Sequence, residues 1–543
     1  MTSWDYVIVG AGSAGCVLAA RLTEDPAVTV LLLEAGDRDT AKEVSVPAAF
    51  SKLFLGPHDW AYRTEPEPGC DGRQMYWPRG KMLGGCSSLN AMLYIRGSRH
   101  DFDGWRDAGC TGWGYDDVLP YFQRSEDNSR GADAWHGTGG PLRVSDQRSP
   151  SDLSHDYLAA AERAGFTGNP DFNAAEQDGV GIYQVTQRGG RRESTATAFL
   201  RPALQRPNLT VRTLAQATRV LVEGGRAIGV EAQLSAGREV FHANREVLLA
   251  GGAVNTPQLL LLSGIGPAPE LRAHGIEVLV DSPKVGSNLQ DHLSVGCSFL
   301  TTGPVSYFGA DKRVGPVASW LLRRRGPFSS PVAEAGGFLR TDRALPAPDL
   351  QLLFAPALFV EHGQGEAPGH GFSLGAYLLR PQSRGRVRLG SADPLAPAVI
   401  EAGYLTEDAD LEVLVAGLRR ILEIAAQQPL ARHASARHLP EPGVDVADDT
   451  AARAYIRAHA ETIYHPTSTA AMGPAEDDVC DPQLRVRGVS GLRVVDASVL
   501  PDVPRGNTNA PVIMLAEKAA DLLREIPAPP TQRTTSPEGQ PVR

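Results

Sequence analysis

The 543-residue sequence predicts an α/β protein interwoven with antiparallel β structure, on three observations. A Gly-x-Gly-x-x-Gly turn follows a short apolar run near the start. Closely spaced strand-like runs with tight glycine turns fill residues 209–250. Further strand-like runs and two long helical stretches follow beyond residue 370.

Tyr6–Val9 is an apolar run suited to a buried parallel strand. Gly10, Gly12 and Gly15 follow at dinucleotide-binding spacing. The first allows a tight turn, the second lets backbone approach a pyrophosphate, and the third lets helix pack on strand. Cys16–Thr23 reads as that helix, its N-terminus towards the anion. Val28–Leu33 reads as the second strand, ending on Glu34. A carboxylate there accepts hydrogen bonds from a ribose 2′-OH and repels a 2′-phosphate, which points to FAD or NAD rather than NADP.

His58–Gly114 is rich in Gly, Trp and Pro, lacks regular periodicity, and reads as an irregular segment of the kind that wraps a cofactor. Asp152–Ala164 alternates like an amphipathic helix. Leu209–Thr213, Thr218–Glu223, Ala227–Leu234 and Glu239–Ala243 read as short strands, and Glu246–Ala250 as another, buried strand. Phe372–Leu379 and Gly385–Leu389 read as antiparallel strands, and Asp408–Gln427 as a long helix. Pro511–Arg524 reads as a helix with proline in its first turn.

The length suggests two or more domains, and 42% hydrophobic residues suffice for large cores. A net charge of −10 argues against nucleic-acid binding, which needs a basic face. Cys16, Cys70, Cys86, Cys110, Cys297 and Cys480 form no C-x-x-C pair, so neither a metal site nor a disulfide framework is expected. The nucleotide-binding pattern begins close to Met1, and no apolar stretch approaches the roughly 18 residues of a spanning helix. A reducing, cytoplasmic setting is the expectation. Residues 527–543 read as a disordered tail.

Two segments carry further chemistry. Arg79–Gly97 holds Gly84-Gly85, two serines and Asn90, a set of donors suited to a pyrophosphate or the polar edge of a flavin. Gly252–Gly266 follows a buried strand and reads as a capped helix closed by Ser263-Gly264. The second segment resembles, position by position, one signature of the glucose–methanol–choline (GMC) flavoprotein oxidoreductases. Gly80–Asp103 resembles the family's other signature, with Cys86 where Gly, Ser or Thr is more usual. Ile463–Gly473, Leu492–Pro501 and Gly506–Pro511 resemble its C-terminal half, so the likeness runs from about Trp4 to about Leu523.

The resemblance implies an FAD-binding domain with a Rossmann-like unit, built from residues 1–150, 208–300 and 478–526. It implies a substrate domain on an antiparallel sheet with helices, from 151–207 and 301–477. FAD is expected against Gly10, Gly12, Ser13, Ala14, Gly15, Glu34 and Ala35. Gly84, Gly85, Asn90, Ala91, Met92 and Val220 are expected there too, with Asp496, Ala497 and Thr508. Some members tether FAD through a histidine before the loop asparagine; that position is Leu89, so the flavin is expected to be non-covalent. His465 matches the family's catalytic histidine, and Asn509 is matched to its partner.

The chain most resembles the choline dehydrogenase and bacterial alcohol dehydrogenase (acceptor) branch. This implies oxidation of a primary alcohol, choline-like or aliphatic, to an aldehyde. A hydride goes to flavin N5, and His465 takes the hydroxyl proton. An oxidase using dioxygen stays open as an alternative, as does a lyase of the hydroxynitrile type with a non-redox flavin. The electron acceptor and oligomeric state are not set by the sequence. The helix after Asn509 is expected to turn its positive end to the flavin's pyrimidine edge. Ala318–Phe328 sets a basic cluster beside apolar residues and reads either as a solvated helix face or as a peripheral membrane or subunit contact. Glu334 reads either as a neighbour of a cationic substrate or as a structural acid paired with an arginine.

Overall fold

A computed structural model describes residues 3–529. The tail read at 527–543 lies outside the described residues from 530 onwards. Two seven-stranded sheets organise the chain. The first centres on β1 (Ser3–Val9) and β2 (Val30–Leu33), both apolar and almost wholly buried in their inner halves. Its order is Leu209–Arg212, β2, β1, Gly237–Leu249, Arg226–Leu234, Gln216–Glu223, with Leu492–Val494 on the far side of Gly237–Leu249. Pairings among the first four strands and with Leu492–Val494 are parallel, whereas the Gln216–Leu249 meander is antiparallel.

Six helices matter below. They are α1 (Ser13–Leu22), α2 (Asp152–Arg163), α3 (Gly252–Leu262), α4 (Val314–Arg323), α5 (Asp408–Ala425) and α6 (Asn509–Arg524). α1 and α6 pack together beside the first sheet, so segments far apart in the sequence meet there. The second sheet is antiparallel, in the order Ala434–Leu439, Leu293–Thr301, Gly371–Leu378, Leu350–Ala355, Ala335–Leu339, Gly179–Ile182, with Glu461–Thr462 also pairing Leu293–Thr301. α5 and α2 cover one face of it, burying Leu414, Leu418 and Ile421 in a second core.

Several sequence expectations shift. Glu239–Ala243 and Glu246–Ala250 are one strand, Gly237–Leu249. Its polar middle, Asn244-Arg245, is exposed at the sheet's rim and breaks the apolar pattern without breaking the strand. Residues 386–388 pair with Val399–Glu401 and not with Gly371–Leu378. Leu293–Thr301, grouped from the sequence with the nucleotide-binding unit, belongs to the second sheet. α1 begins at Ser13, three residues earlier than read, and α6 at Asn509, two earlier. The His58–Gly114 segment contains a helix, Arg99–Asp107, whose Asp101 carboxylate accepts the Ser98 N–H. The Ser-x-x-Asp pattern was the signal for it.

Candidate active site

A cavity of about 890 Å³ opens between the two sheets. One end is the glycine turn. Gly10 has φ +97, and a Cβ there would lie 2.5 Å from the Ala250 carbonyl oxygen. A Cβ on Gly15 would lie 1.9 Å from the Gly10 oxygen, so glycine at this position sets how closely α1 approaches β1. No side chain caps α1 at Gly12, and Gly12, Ser13 and Ala14 line the cavity. An uncapped helix start with its N–H groups facing a cavity is an anion site.

Glu34 lines the same end, with Ala35 beside it. Its carboxylate accepts the N–H groups of Ala11 and Gly36, each at 2.8 Å, and keeps lone pairs for a ribose hydroxyl. Burial pushes its pKa up to about 7. Gly85, Asn90, Ala91 and Met92 form an opposite wall, and Asn90 is held by the Arg192 guanidinium at 2.9 Å. The uncapped anion site, the ribose acid and this amide-bearing wall fit a flavin dinucleotide. Leu89, on that wall, carries no nucleophile.

Three expected residues take other places. Gly15 packs behind the turn, as above. Gly84, at φ +86, donates its N–H to Ala11 and lies behind the wall. Val220 is buried in its strand with its N–H on Ser263 Oγ, and Ala215–Ala217 face the cavity instead. Asp496 lines the cavity with Ala497, but both its oxygens are engaged. Oδ2 accepts Gly252 N–H and Thr256 Oγ–H, and Oδ1 accepts Ser498 N–H and Oγ–H, so it caps α3.

His465 lies at the far end. Strand pairing brings it there: Leu293 opposes Thr462 and Ser294 opposes Glu461. The antiparallel register sets His292, just before one strand, beside His465, just after the other. Their Nδ1 atoms are 3.0 Å apart. Asp291 accepts the His465 N–H at 2.6 Å and Thr462 Oγ–H at 2.5 Å, fixing the turn. Tyr464 (φ 70) and Ser468 (φ 74) flank it in the left-handed region. That region favours glycine, so these two side-chain-bearing residues mark stored local strain.

Asn507, and not Asn509, is the amide beside His465, its Nδ2 3.3 Å from His465 Nε2. Asn509 begins α6 and its Oδ1 accepts Ser13 Oγ–H at 2.7 Å, tying the start of α6 to the glycine turn. The two asparagines lie two positions apart in one segment, and spacing from the following helix alone does not separate them. Gln351 donates to Asn507 Oδ1 at 3.3 Å, which assigns the amide orientation and leaves its N–H pointing at His465. Thr508 and Asn509 line the cavity at the uncapped start of α6.

Burial lowers the His465 pKa well below the usual histidine value, with help from His292 and the Arg79 guanidinium. Burial likewise lowers His292 to about 3. Both rings are therefore neutral, and one proton lies between the two Nδ1 atoms. The Asn507 N–H directed at Nε2 assigns that proton to His465 Nδ1, leaving Nε2 unprotonated and able to act as the base once an alcohol takes the Asn507 N–H. His292 was not distinguished from other histidines in the sequence; only strand register reveals it.

Glu334 is fully buried and does not line the cavity. Its oxygens accept Tyr307 and Ser330 hydroxyls at 2.5 and 2.6 Å, and Ser151 N–H and Ser154 Oγ–H at 2.7 and 2.6 Å. It is a structural acid held by hydroxyls rather than by an arginine.

Residues 4–294 and 381–516 match the two family models described as GMC oxidoreductase. The chain is 43% identical to an alcohol dehydrogenase [acceptor] of Pseudomonas putida, covering 96% of this chain and 95% of that one. It is 42% identical to a mitochondrial choline dehydrogenase of Homo sapiens, covering 97% and 90%. A crystal structure of pyridoxine 4-oxidase superposes with TM-score 0.87 at 34% identity, covering 96% and 99%. With both family models matched across the same cavity, the chain belongs to the GMC oxidoreductases, a family of FAD-dependent flavoproteins.

Proposed function

We propose that this oxidoreductase converts an apolar primary alcohol to its aldehyde, with His465 as base. The observation that carries the reading is the His465–Asn507 pair, a free Nε2 and an amide N–H converging within one cavity. An alcohol oxygen seated between them accepts from Asn507 Nδ2, and its proton passes to His465 Nε2. Such a proton transfer contributes about 10²–10⁴ in rate. FAD held in the cradle would supply the acceptor for the hydride that leaves the alcohol carbon. Low basicity of His465 keeps it unprotonated at neutral pH. As Nε2 takes up that proton, the proton already on Nδ1 shifts towards His292 Nδ1, which spreads the charge over both rings.

Residues 10–14, 34–35, 85, 90–92 and 508 supply the cradle for the cofactor. The catalytic end is walled by Phe50, Phe54, Leu55, Val332, Phe359 and Tyr464. The carboxylates there do not suit a quaternary ammonium: Glu461 is paired with Arg73 and His362, and Glu361 is exposed. Aromatic faces take an alkyl chain or a quaternary ammonium alike, so it is the engagement of Glu461 and the exposure of Glu361 that favour an aliphatic alcohol over choline.

The test is anaerobic flavin absorbance on adding a medium-chain primary alcohol, then choline. Bleaching by the first at far lower concentration than by choline is the expected result. Rapid recovery in air would assign an oxidase, and a normal FAD spectrum unchanged by every alcohol would favour the lyase reading.

A further inference from the structure

Among the described residues, Tyr62, Tyr76, Tyr377, Tyr455 and Tyr464 are the tyrosines that line the cavity. Tyr62, Tyr76, Tyr455 and Tyr464 have their hydroxyls hydrogen-bonded to protein. Tyr377 differs: its hydroxyl has no hydrogen-bond partner among the described residues. A tyrosine set inside a protein ordinarily finds a partner for its O–H, so this one is open to whatever occupies the cavity. Burial raises its pKa above the ordinary tyrosine value, so the group keeps its proton and acts as a donor.

Strand register places this hydroxyl at the catalytic end. Tyr377 stands opposite both Gln351 and Ser294, and directly opposed residues share a sheet face. Gln351 is the residue that donates to Asn507 Oδ1, so the Tyr377 ring rises from the row that holds the catalytic amide. From there it leans along its own strand over Gly375. A Cβ on Gly375 would lie 2.7 Å from Tyr377 Cε1 and 3.4 Å from its Oη, so glycine is what leaves the ring room to lie there. The hydroxyl thereby reaches over the next row, Gly296, Gly375 and Leu353, which all line the cavity and carry no polar side chain. Two residues of strand, about 7 Å, separate the two rows.

We propose that Tyr377 determines specificity: its Oη–H anchors a second oxygen of the substrate, set back from the carbinol and able to accept a hydrogen bond. The inference rests on the reading of this cavity as an alcohol site and narrows the substrate class to a largely alkyl alcohol bearing one acceptor oxygen. With the carbinol oxygen between His465 Nε2 and Asn507 Nδ2, the rest of the molecule runs along apolar walls, and Tyr377 offers it an unengaged donor. An all-carbon chain in the same place presses a methylene on the hydroxyl and leaves its proton unpaired, which costs binding. The contact is one of binding alone; no bond is made or broken through it.

The test uses the FAD-loaded enzyme with 1-octanol and its isosteric ethers, in which one oxygen replaces the third, fourth, fifth or sixth carbon. Two quantities are read: kcat/KM from anaerobic flavin reduction, and the dissociation constant from the flavin absorbance shift and the ligand-raised melting temperature. One ether isomer should be preferred over 1-octanol and over the other isomers by about fivefold to tenfold. Tyr377→Phe removes only the unpartnered hydroxyl and should abolish that preference while the melting temperature of the ligand-free enzyme holds. Gly375→Ala, which displaces the ring, should abolish it as well. A preference that survives in Tyr377→Phe would overturn the inference. So would the absence of any isomer preference in the wild type, which would leave the hydroxyl to water. Bleaching by 1-octanol without isomer preference would sink this inference and keep the proposed reaction, whereas isomer-selective binding without bleaching would do the reverse.

Discussion

The glycine turn and the His465 pocket solve opposite problems at the two ends of one cavity. The turn works through backbone: Gly10, Gly12 and Gly15 lie within six consecutive residues, and their side chains matter by being absent. The pocket works through side chains drawn from residues 292, 351, 465 and 507, converged by strand register and one loop. A backbone site fails by steric exclusion, whereas a side-chain site fails by losing chemistry while still folding.

The largest expected effect is at the turn. Gly15→Val sets a Cβ 1.9 Å from the Gly10 oxygen, so the purified protein should carry no FAD, measured as flavin bound per chain. His465→Ala should keep FAD and slow alcohol-dependent flavin reduction by about 10²–10⁴, measured by anaerobic stopped-flow. Full-rate reduction in that variant would end the assignment of His465 as base.

Asn507→Ala and Asn509→Ala sharpen the contrast, because the two residues sit at opposite ends of the same short segment. Asn507→Ala should lower the reduction rate by about 10²–10³ while FAD stays bound. Asn509→Ala breaks the tie to Ser13 and should weaken FAD retention more than it slows the step. The reverse pattern would restore the pairing drawn from the sequence. His292→Leu removes the acceptor behind His465 and should cost about tenfold in rate, with Michaelis constant little changed.

The smallest effect is on stability against pH. His292 and His465 are neutral when folded, with His292 at about 3, whereas an unfolded histidine titrates near ~6.5. As pH falls below that value the unfolded chain takes up protons that the folded chain refuses. Their contribution is therefore fully present above about 6.5 and is lost on acidification towards the folded values. Melting temperature should fall over that range, less steeply in His292→Leu.

The same contrast governs what the sequence made legible. β1, the glycines and Glu34 lie within one βαβ stretch, and each carries a local signal, so the place of this end of the cavity was legible in the sequence. Val220 was misplaced because strand membership does not say which residue faces the cavity; Ala215–Ala217 do. His292 carries no local mark, since its proximity to His465 follows from the pairing of Leu293 with Thr462. Asn507 and Asn509 have different partners, and the helix that Asn509 opens starts two residues earlier than proline placement suggested. Gly237–Leu249 was split in two because its rim residues are polar, although hydrogen bonding runs through them.

The Ser13–Asn509 hydrogen bond has a consequence for how the protein is made. Its partners are separated by 496 residues, and the strand Leu492–Val494 completes the sheet on the same late schedule. At about 5–20 residues per second, ribosomes need roughly 25–100 s to emit the intervening chain. Throughout that interval the nascent dinucleotide pocket has its turn but not its closing wall. Cofactor capture is thereby deferred to the last stretch of translation or to release, and flavin supply acts on the finished chain.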